Sequence, residues 1–340
     1  MDAIAAKKEA KSKKTTPARL LELSRFPDPS VQLAVAKHAN TPVAALEYLS
    51  GHGKSTILKA VAYHPSTPPA TLHRLALHKQ YTVVLSVIYN SETALATLKR
   101  LVTHPHRAVR NALTNRGTFT LAMFETLSCD ADEYVRAGIA GHHQCPPVLL
   151  EQLASDQNVW VRCCVARNSN VPLKVLGELA RDPEAEVRCS TVYPLASKGQ
   201  RDLLELLVRD SDSGVRETIA LYSDTVSQLM GVQFITQLAH DPDAGIRESI
   251  ARYEDLDVAT FQQLLQDPKP EVRAALACNQ VNPTPAFVIE TLVNDPDPQV
   301  RWQVVDNDAI SNATLERLAA HDPAPNVREH AALALSFRQP

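Results

Sequence analysis

Apolar residues recur along the chain with a period of about 26 residues. Valine or isoleucine begins each of twelve repeats, at Val31, Ile57, Val83, Val109, Val135, Val161, Val187, Val215, Ile246, Val272, Val300 and Val327. The first seven of these positions are evenly spaced, and the later intervals are equal to the first or slightly longer. A period of this length maintained over most of a chain predicts an array of similar structural units.

Each repeat predicts two short helices. Counting the first valine as position zero, positions zero and four are apolar, as in Val31 and Val35, and so are positions 15 and 18, as in Leu46 and Leu49. Residues at these spacings share one face of a helix. Thr41, which precedes a proline, is expected to cap the second helix through its hydroxyl. Since one repeat cannot bury its apolar stripe alone, neighbouring repeats are expected to share a continuous core.

Two charged columns accompany the apolar period. Arginine directly follows position zero in nine repeats, and aspartate stands five residues before position zero in eight repeats. An active site is used once, so this repetition predicts structural hydrogen bonds that join neighbouring repeats. The residues chosen to represent this ladder are Asp156, Arg162, Asp182, Arg188, Asp241 and Arg247.

Position seven is often asparagine or histidine, as in His38, His64, Asn90 and Asn168. Both side chains can close a turn by bonding to local backbone, which is the role predicted here. A metal-binding histidine ladder is the alternative, although rungs roughly 8–10 Å apart are too distant for two imidazoles to share one ion.

The segment 156–180, DQNVWVRCCVARNSNVPLKVLGELA, resembles the leucine-rich repeat variant family, and the resemblance extends over residues 17–335. It implies an all-α, right-handed superhelical solenoid of about twelve two-helix repeats in which α- and 3₁₀-helices alternate. HEAT repeats are the nearest competitor, with longer units. Some members of the family carry an N-terminal cysteine cluster for an iron–sulfur centre. Here the first cysteine is Cys129, so the resemblance implies no such cofactor, and the family implies no particular reaction.

Charge is distributed unevenly along the chain. Residues 1–126 contain 17 lysines and arginines against 7 acidic residues, a net charge of +10, whereas residues 127–340 contain 18 against 31, a net charge of −13. A basic flexible tail is predicted at residues 1–16, followed by one continuous solenoid over 17–340. The residues proposed from the sequence to contact a partner are Lys59, Arg74, Lys79, Lys99, Arg100 and Arg107. A basic surface of this kind attracts nucleic acid or an acidic protein.

The segment Gly51–Ser55, GHGKS, ends as a phosphate-binding P-loop does. The first glycine of that motif would fall at position 48, which is Tyr48, and the preceding residues are predicted to be helical, so a turn is the favoured interpretation. No catalytic, cofactor-binding or metal-binding residue is nominated. The six cysteines show no paired framework, which predicts free thiols and a cytoplasmic protein, and no apolar run is long enough to cross a membrane.

These features predict a non-catalytic interaction scaffold that binds a protein partner on the repeat surface. The alternative is a HEAT-like nucleic-acid-binding protein that uses its basic N-terminal half. Residues 221–234 carry five extra residues, which predict either a surface loop or a kink in the array.

Overall fold

The computed structural model describes residues 2–231, 233–253, 256–279 and 284–338, and every regular element in these ranges is a helix. The prediction of an all-α repeat fold is therefore confirmed. The chain forms two compact units, and the boundary between them falls after Pro172. Each unit is a stack of helix pairs.

The first helix of each repeat carries the valine or isoleucine at position zero. In the first unit these are α3 (Pro29–Ala36), α5 (Ser55–Tyr63), α7 (Tyr81–Ile88), α9 (Arg107–Leu113), α11 (Glu133–Ala140) and α13 (Val159–Arg167). In the second unit they are α15 (Ala185–Ser197), α17 (Ser213–Leu221), α20 (Ala244–Ala251), α22 (Pro270–Ala277), α24 (Pro298–Val304) and α26 (Pro325–Arg338).

The second helices alternate with the first. In the first unit they are α2 (Pro17–Ser24), α4 (Val43–His52), α6 (Pro69–Leu75), α8 (Leu95–Leu101), α10 (Leu121–Ser128) and α12 (Pro147–Leu153). In the second unit they are α14 (Leu173–Leu179), α16 (Arg201–Leu207), α19 (Gln233–Leu238), α21 (Val258–Leu264), α23 (Ala286–Leu292) and α25 (Asn312–His321). Throughout the described ranges these are α-helices, whereas the resemblance had implied 3₁₀-helices.

The core of each unit consists of the predicted apolar positions. Val31, Val35, Leu46 and Leu49 are fully buried, and their counterparts in the other repeats are buried in the same way. First helices pack against first helices of neighbouring repeats, as α5 does on α7 and α20 does on α22. Because most of these helices span only about two turns, their stability comes from this packing and not from helix propensity.

The threonine before the second helix has a different role from the one predicted. The hydroxyl of Thr41 donates to the backbone oxygen of Val35 at 2.6 Å, at the end of the first helix, and Thr67 bonds Val61 in the same way. The second helix α4 begins after Pro42 without a side-chain cap. The backbone oxygen of Val35 also accepts from the amide of His38 at 2.9 Å, so the buried threonine hydroxyl adds a second hydrogen bond to a carbonyl group at the end of the first helix and is itself satisfied.

The N-terminal segment is not the flexible tail that was predicted. Residues Ala3–Lys11 form helix α1, which is capped by Asp2 and packs on α3 with Ala6 and Ala10 fully buried. Thr15 donates to the backbone oxygen of Glu9 just as Thr41, one period later, donates to that of Val35. Helices α1 and α2 therefore make up an additional, atypical repeat that packs on α3.

Placing a carboxylate under α1 is expected to destabilise the first unit. The substitution Ala10→Glu puts a charge at a fully buried position, so either the charge stays desolvated or α1 leaves α3. We expect the free energy of unfolding to fall by about 1–3 kcal/mol, measured by urea denaturation followed by circular dichroism. Ala5→Glu, at an exposed position of the same helix, is the control. Equal stability of the two variants would contradict the docking of α1.

The insertion at 221–234 contains an additional helix. Helix α18 (Ser223–Met230) packs on α15, α16, α17 and α19 through the buried side chains of Val226 and Met230. It ends at Gly231, whose φ of 72° lies in the region that favours glycine. The extra residues are thus part of the core of the second unit and do not form a loop.

Candidate functional site

The arginine and aspartate columns join successive repeats. Arg247 illustrates the arrangement, because its Nε and Nη2 donate to the two carboxylate oxygens of Asp267 at 2.6 and 3.0 Å, and its Nη1 donates to the backbone oxygen of Asp241 at 2.7 Å. Each such arginine thus connects its own repeat with the next. The pairs with this geometry are Arg110–Asp130, Arg136–Asp156, Arg188–Asp210, Arg216–Asp241, Arg247–Asp267, Arg273–Asp295 and Arg301–Asp322.

The ladder residues chosen from the sequence occupy this network. Asp156 accepts from Arg136, Arg188 binds Asp210, and Asp241 accepts from Arg216. Arg162 donates to the backbone oxygen of Asp156 at 2.9 Å, and the backbone oxygen of Asp182 accepts from Arg188 at 2.8 Å. All of these groups therefore bond to backbone or to a neighbouring repeat.

The ladder carboxyls remain charged at neutral pH. Burial alone would raise the pKa of Asp130, Asp156, Asp210, Asp241, Asp267 and Asp295, but hydrogen bonds from arginine and backbone amides outweigh it and hold each pKa below its usual value. At Asp322 the hydrogen bond from Arg301 is the largest influence and lowers the pKa directly. These pKa shifts stabilise the folded state at neutral pH.

The ladder is absent from the first repeats, where histidine replaces aspartate. The Nδ1 atoms of His78 and His104 accept from backbone amides two residues later at 3.1 and 3.0 Å, as the Oδ1 of Asp130 accepts from Asp132. The histidines therefore keep the turn without adding negative charge. Burial lowers the pKa of His104 and favours this neutral form. A cleft of about 280 Å³ is lined by His78 and His104 together with His73 and Arg100.

Position seven forms a second ladder between repeats. His64 Nε2 donates to the backbone oxygen of His38 at 3.0 Å, and Asn90 Nδ2 donates to that of His64 at 2.9 Å. Each side chain also accepts from the backbone amide two residues later, which is the local turn bond predicted from the sequence. The sequence indicated the local bond and missed the bond to the preceding repeat, because that carbonyl lies one whole repeat earlier in the chain.

The six basic residues proposed from the sequence do not share one surface element. They are Lys59 on α5, Arg74 on α6, Lys79 in the turn before α7, Lys99 and Arg100 on α8, and Arg107 at the start of α9. Three of them have partners within the protein, since Arg74 donates to the hydroxyl of Ser50, Arg100 bonds His73 Nε2 at 3.0 Å and Arg107 pairs with Asp132 at 3.2 Å. Of the six, Lys59 lines a large groove.

This groove runs over the first helices α3, α5 and α7 and has a volume of about 710 Å³. Its floor consists of small and apolar side chains, chiefly Leu33, Ala36 and Ala60. Lys37 and Lys59 stand exposed at its edge. The remaining lining residues are Thr56, Tyr63, His64, Pro65 and Ser86. We call this surface the α3–α7 groove.

One lining residue of the groove is held by two hydrogen bonds, and the edge of the groove is positively charged. His64 is 4% exposed and is held at both ring nitrogens, by the backbone oxygen of His38 and the amide of Ser66. Lys37 and Lys59 have no ion-pair partner in the ranges that the structure describes. Tyr63 is 68% exposed and places an aromatic ring beside them. A second cleft, lined by Lys11, Lys13 and Lys37 among others, adjoins the groove at Lys37.

The distribution of acidic residues along the sequence is one signal for this groove. Between residues 29 and 124 only Glu47 and Glu92 are acidic, so the first helices of these repeats carry no negative charge. The small side chains at the floor, such as Ala36 and Ala60, gave no periodic signal of their own. Only the stacking of three helices shows that they enclose one space.

The P-loop-like segment has a structural role. Helix α4 continues through Gly51 and ends at His52, and Gly53 connects it to α5. A Cβ atom at Gly53 would lie 2.7 Å from the backbone oxygen of Leu49, so only glycine fits there. The predicted turn over Gly51–Ser55 is thus confined to Gly53 and Lys54, and this close approach explains the glycine at position 53.

The remaining chemistry-bearing groups are dispersed. All six cysteines are free thiols, and burial raises the pKa of Cys145 to about 12, which keeps that thiol protonated. No group of three or more histidine, cysteine or acidic side chains is placed to hold a metal ion in the described part of the chain. Within the same residues, the helices are all too short or too polar to cross a membrane.

No protein-family model matches the chain, and no curated protein matches it in sequence. Among solved structures, a leucine-rich repeat variant with a novel repetitive structural motif aligns with a TM-score of 0.52 and 23% identity, over 68% of this chain and 88% of that chain. A chain from the complex of Kap95p with RanGDP aligns with a TM-score of 0.41 and 14% identity, over 95% of this chain and 50% of that chain. The protein is thus an all-helical repeat protein with the fold of a leucine-rich repeat variant, as its repeat pattern predicted.

Proposed function

We propose that this protein is a non-catalytic interaction scaffold and that it binds a protein partner in the α3–α7 groove. The observation that carries the proposal is the groove itself, an apolar cavity of about 710 Å³ spanning three helices with two exposed lysines at its edge. Cavities of this size with apolar walls and few polar groups are typical binding sites. The free thiols support a cytoplasmic location as part of the proposal.

The placement of the charged groups favours a scaffold over an enzyme. The arginine and aspartate side chains that repeat along the chain are used in inter-repeat bonds, as the Arg136–Asp156 pair illustrates. A nucleic-acid interface is supported less well, because the six basic residues are divided among first helices, second helices and turns. Phosphate recognition along a strand needs several cations on one surface.

A photo-crosslinking amino acid at position 63 tests the proposal. Tyr63 is 68% exposed at the edge of the groove, so replacing it with benzoylphenylalanine changes little of the fold. After irradiation in cells that express the chain, we expect mass spectrometry to identify a protein crosslinked at this position. The measurement is the set of crosslinked peptides, each with its site of attachment.

The matched control carries the same amino acid at position 134. Tyr134 is 57% exposed on α11, also in the first unit, and does not line the groove. A partner that crosslinks from position 63 and not from position 134 supports the proposal. If both positions capture the same background proteins, or position 63 captures only nucleic acid, the proposal is wrong.

A further inference from the structure

We infer that the occupant of the α3–α7 groove is a short acidic peptide segment that carries at least one large apolar side chain. This inference rests on the proposed function and specifies the chemistry of the partner. It follows from three properties of the groove, namely its charge, its floor and its length.

Charge complementarity selects an acidic ligand. Lys37 and Lys59 are exposed at the edge of the groove, and no aspartate or glutamate is among the described residues that line it. The helices that form it, α3, α5 and α7, contain no acidic residue. A carboxylate placed here therefore meets lysine ammonium groups and no acidic side chain, whereas a basic peptide would meet uncompensated repulsion.

The floor selects an apolar side chain in addition to the charges. Leu33, Ala36 and Ala60 line an apolar space, and the small side chains of the two alanines create room for a leucine or phenylalanine from the ligand. Burying such a side chain supplies affinity that carboxylates alone cannot, because exposed ion pairs contribute little. A phosphate backbone, which has no apolar side chain, would leave this floor uncovered.

The helix ends determine where the carboxylates lie. Helices α3 and α5 end at Ala36 and Tyr63, both in the groove, and the C-terminal end of a helix carries partial negative charge. Carboxylates of the ligand should therefore lie over the ammonium groups of Lys37 and Lys59, with the apolar side chain between them. Three adjacent helices about 10 Å apart span about 20 Å, which corresponds to about six extended residues.

Fluorescence polarisation with defined peptides tests the inference on the full chain. The first probe is a labelled peptide of alternating glutamate and aspartate around a central Leu-Phe pair. The second replaces that pair with two serines, and the third replaces every acidic residue with lysine. We expect the first peptide to bind at low salt and to weaken as salt rises, the second to bind at least about tenfold more weakly, and the third not to bind.

Charge reversal locates the site. Lys37→Glu/Lys59→Glu should weaken binding of the first peptide by about tenfold or more. Lys79→Glu/Lys99→Glu is the matched control, because it makes the same change in net charge at two exposed lysines of the first unit that do not line the groove. We expect it to change the Kd by less than about twofold. Ala60→Trp, which fills the floor, should abolish the preference for the Leu-Phe peptide.

Several results would overturn the inference. Equal weakening by the two charge reversals would show that attraction is diffuse, and equal binding of the serine peptide would show that the floor is unused. Competition by a single-stranded oligonucleotide at equal concentration would assign the groove to nucleic acid. Dimers seen by light scattering and lost in Lys37→Glu/Lys59→Glu would assign it to a second copy of the chain. Circular dichroism of each variant verifies that the fold is retained.

Failure of this inference is distinguishable from failure of the proposed function. If position 63 crosslinks to a partner segment without acidic residues, the scaffold proposal stands and the chemistry assigned to its ligand is wrong. If the acidic peptide binds as described but position 63 captures no protein in cells, the groove chemistry is right and the scaffold proposal is wrong.

Discussion

Acidification below about pH 4 is expected to unfold the second unit before the first. The ladder aspartates have pKa values below those of the unfolded chain, so their contribution to stability is fully present above the unfolded pKa and is lost as the pH falls through the lower, folded value. Among the described residues, five ladder pairs lie in the second unit and two in the first. The difference in the number of ladder pairs determines the order of unfolding.

Pepsin, which is active in acid, provides the measurement. Brief digestion between pH 5 and pH 2, followed by mass spectrometry, should release peptides from α17, α20, α22 and α24 at a higher pH than peptides from α3, α5 and α7. His104 has a smaller, opposite influence, because it destabilises the first unit in acid. Burial lowers the pKa of His104, so its protonation costs the first unit stability as the pH falls below about 6.5. Release of first-unit peptides before second-unit peptides would contradict the prediction.

Arg247→Ala is expected to lower the free energy of unfolding strongly. This change leaves the carboxylate of Asp267, whose side chain is 5% exposed, without its bidentate partner and removes a bond to the backbone of Asp241. Removing one member of a buried ion pair costs about 3–5 kcal/mol, because the remaining charge stays desolvated. Urea denaturation measures the loss.

An exposed pair on the same helix is the control. Arg252 pairs with Glu248 at 2.7 Å with both side chains largely or partly exposed, and Arg252→Ala should cost less than about 1 kcal/mol. The double variant Arg247→Met/Asp267→Leu should recover most of the stability, since apolar side chains replace buried ion pairs at little cost. None of these three variants should alter peptide binding in the α3–α7 groove. A loss of binding with native stability would give Arg247 a functional role.

The sequence predicted the repeat architecture well because that architecture depends on local periodicity. Val31 and Val35, one turn apart, indicate a helix face, and the recurrence of this pair in repeat after repeat indicates a stack. The same regularity marks Arg247 and Asp241 as structural residues. It did not show that each arginine pairs with the aspartate of the following repeat, because pairing depends on how the repeats stack.

The repeat period did not predict the helix formed by residues 3–11. Residues 3–11 have alanines in place of valines, and lysines give the segment the composition of a mobile tail. It is helical because α3 presents an apolar surface that Ala6 and Ala10 cover. A sequence pattern reports what a segment can bury, whereas the surface that its neighbour leaves uncovered is a property of the folded unit.

Some features of the candidate site can be predicted from the sequence, and others depend on the tertiary structure. The sequence by itself determined the repeat, its helix pairs, the ladder columns and the excess of positive charge before residue 126. Only the tertiary structure decided that Lys59 lies with Lys37 on one groove while Lys79 and Lys99 lie elsewhere. The physical reason is that helix formation follows contacts within about one turn of chain, whereas a groove forms from side chains of different repeats whose surfaces meet only after the helices have stacked.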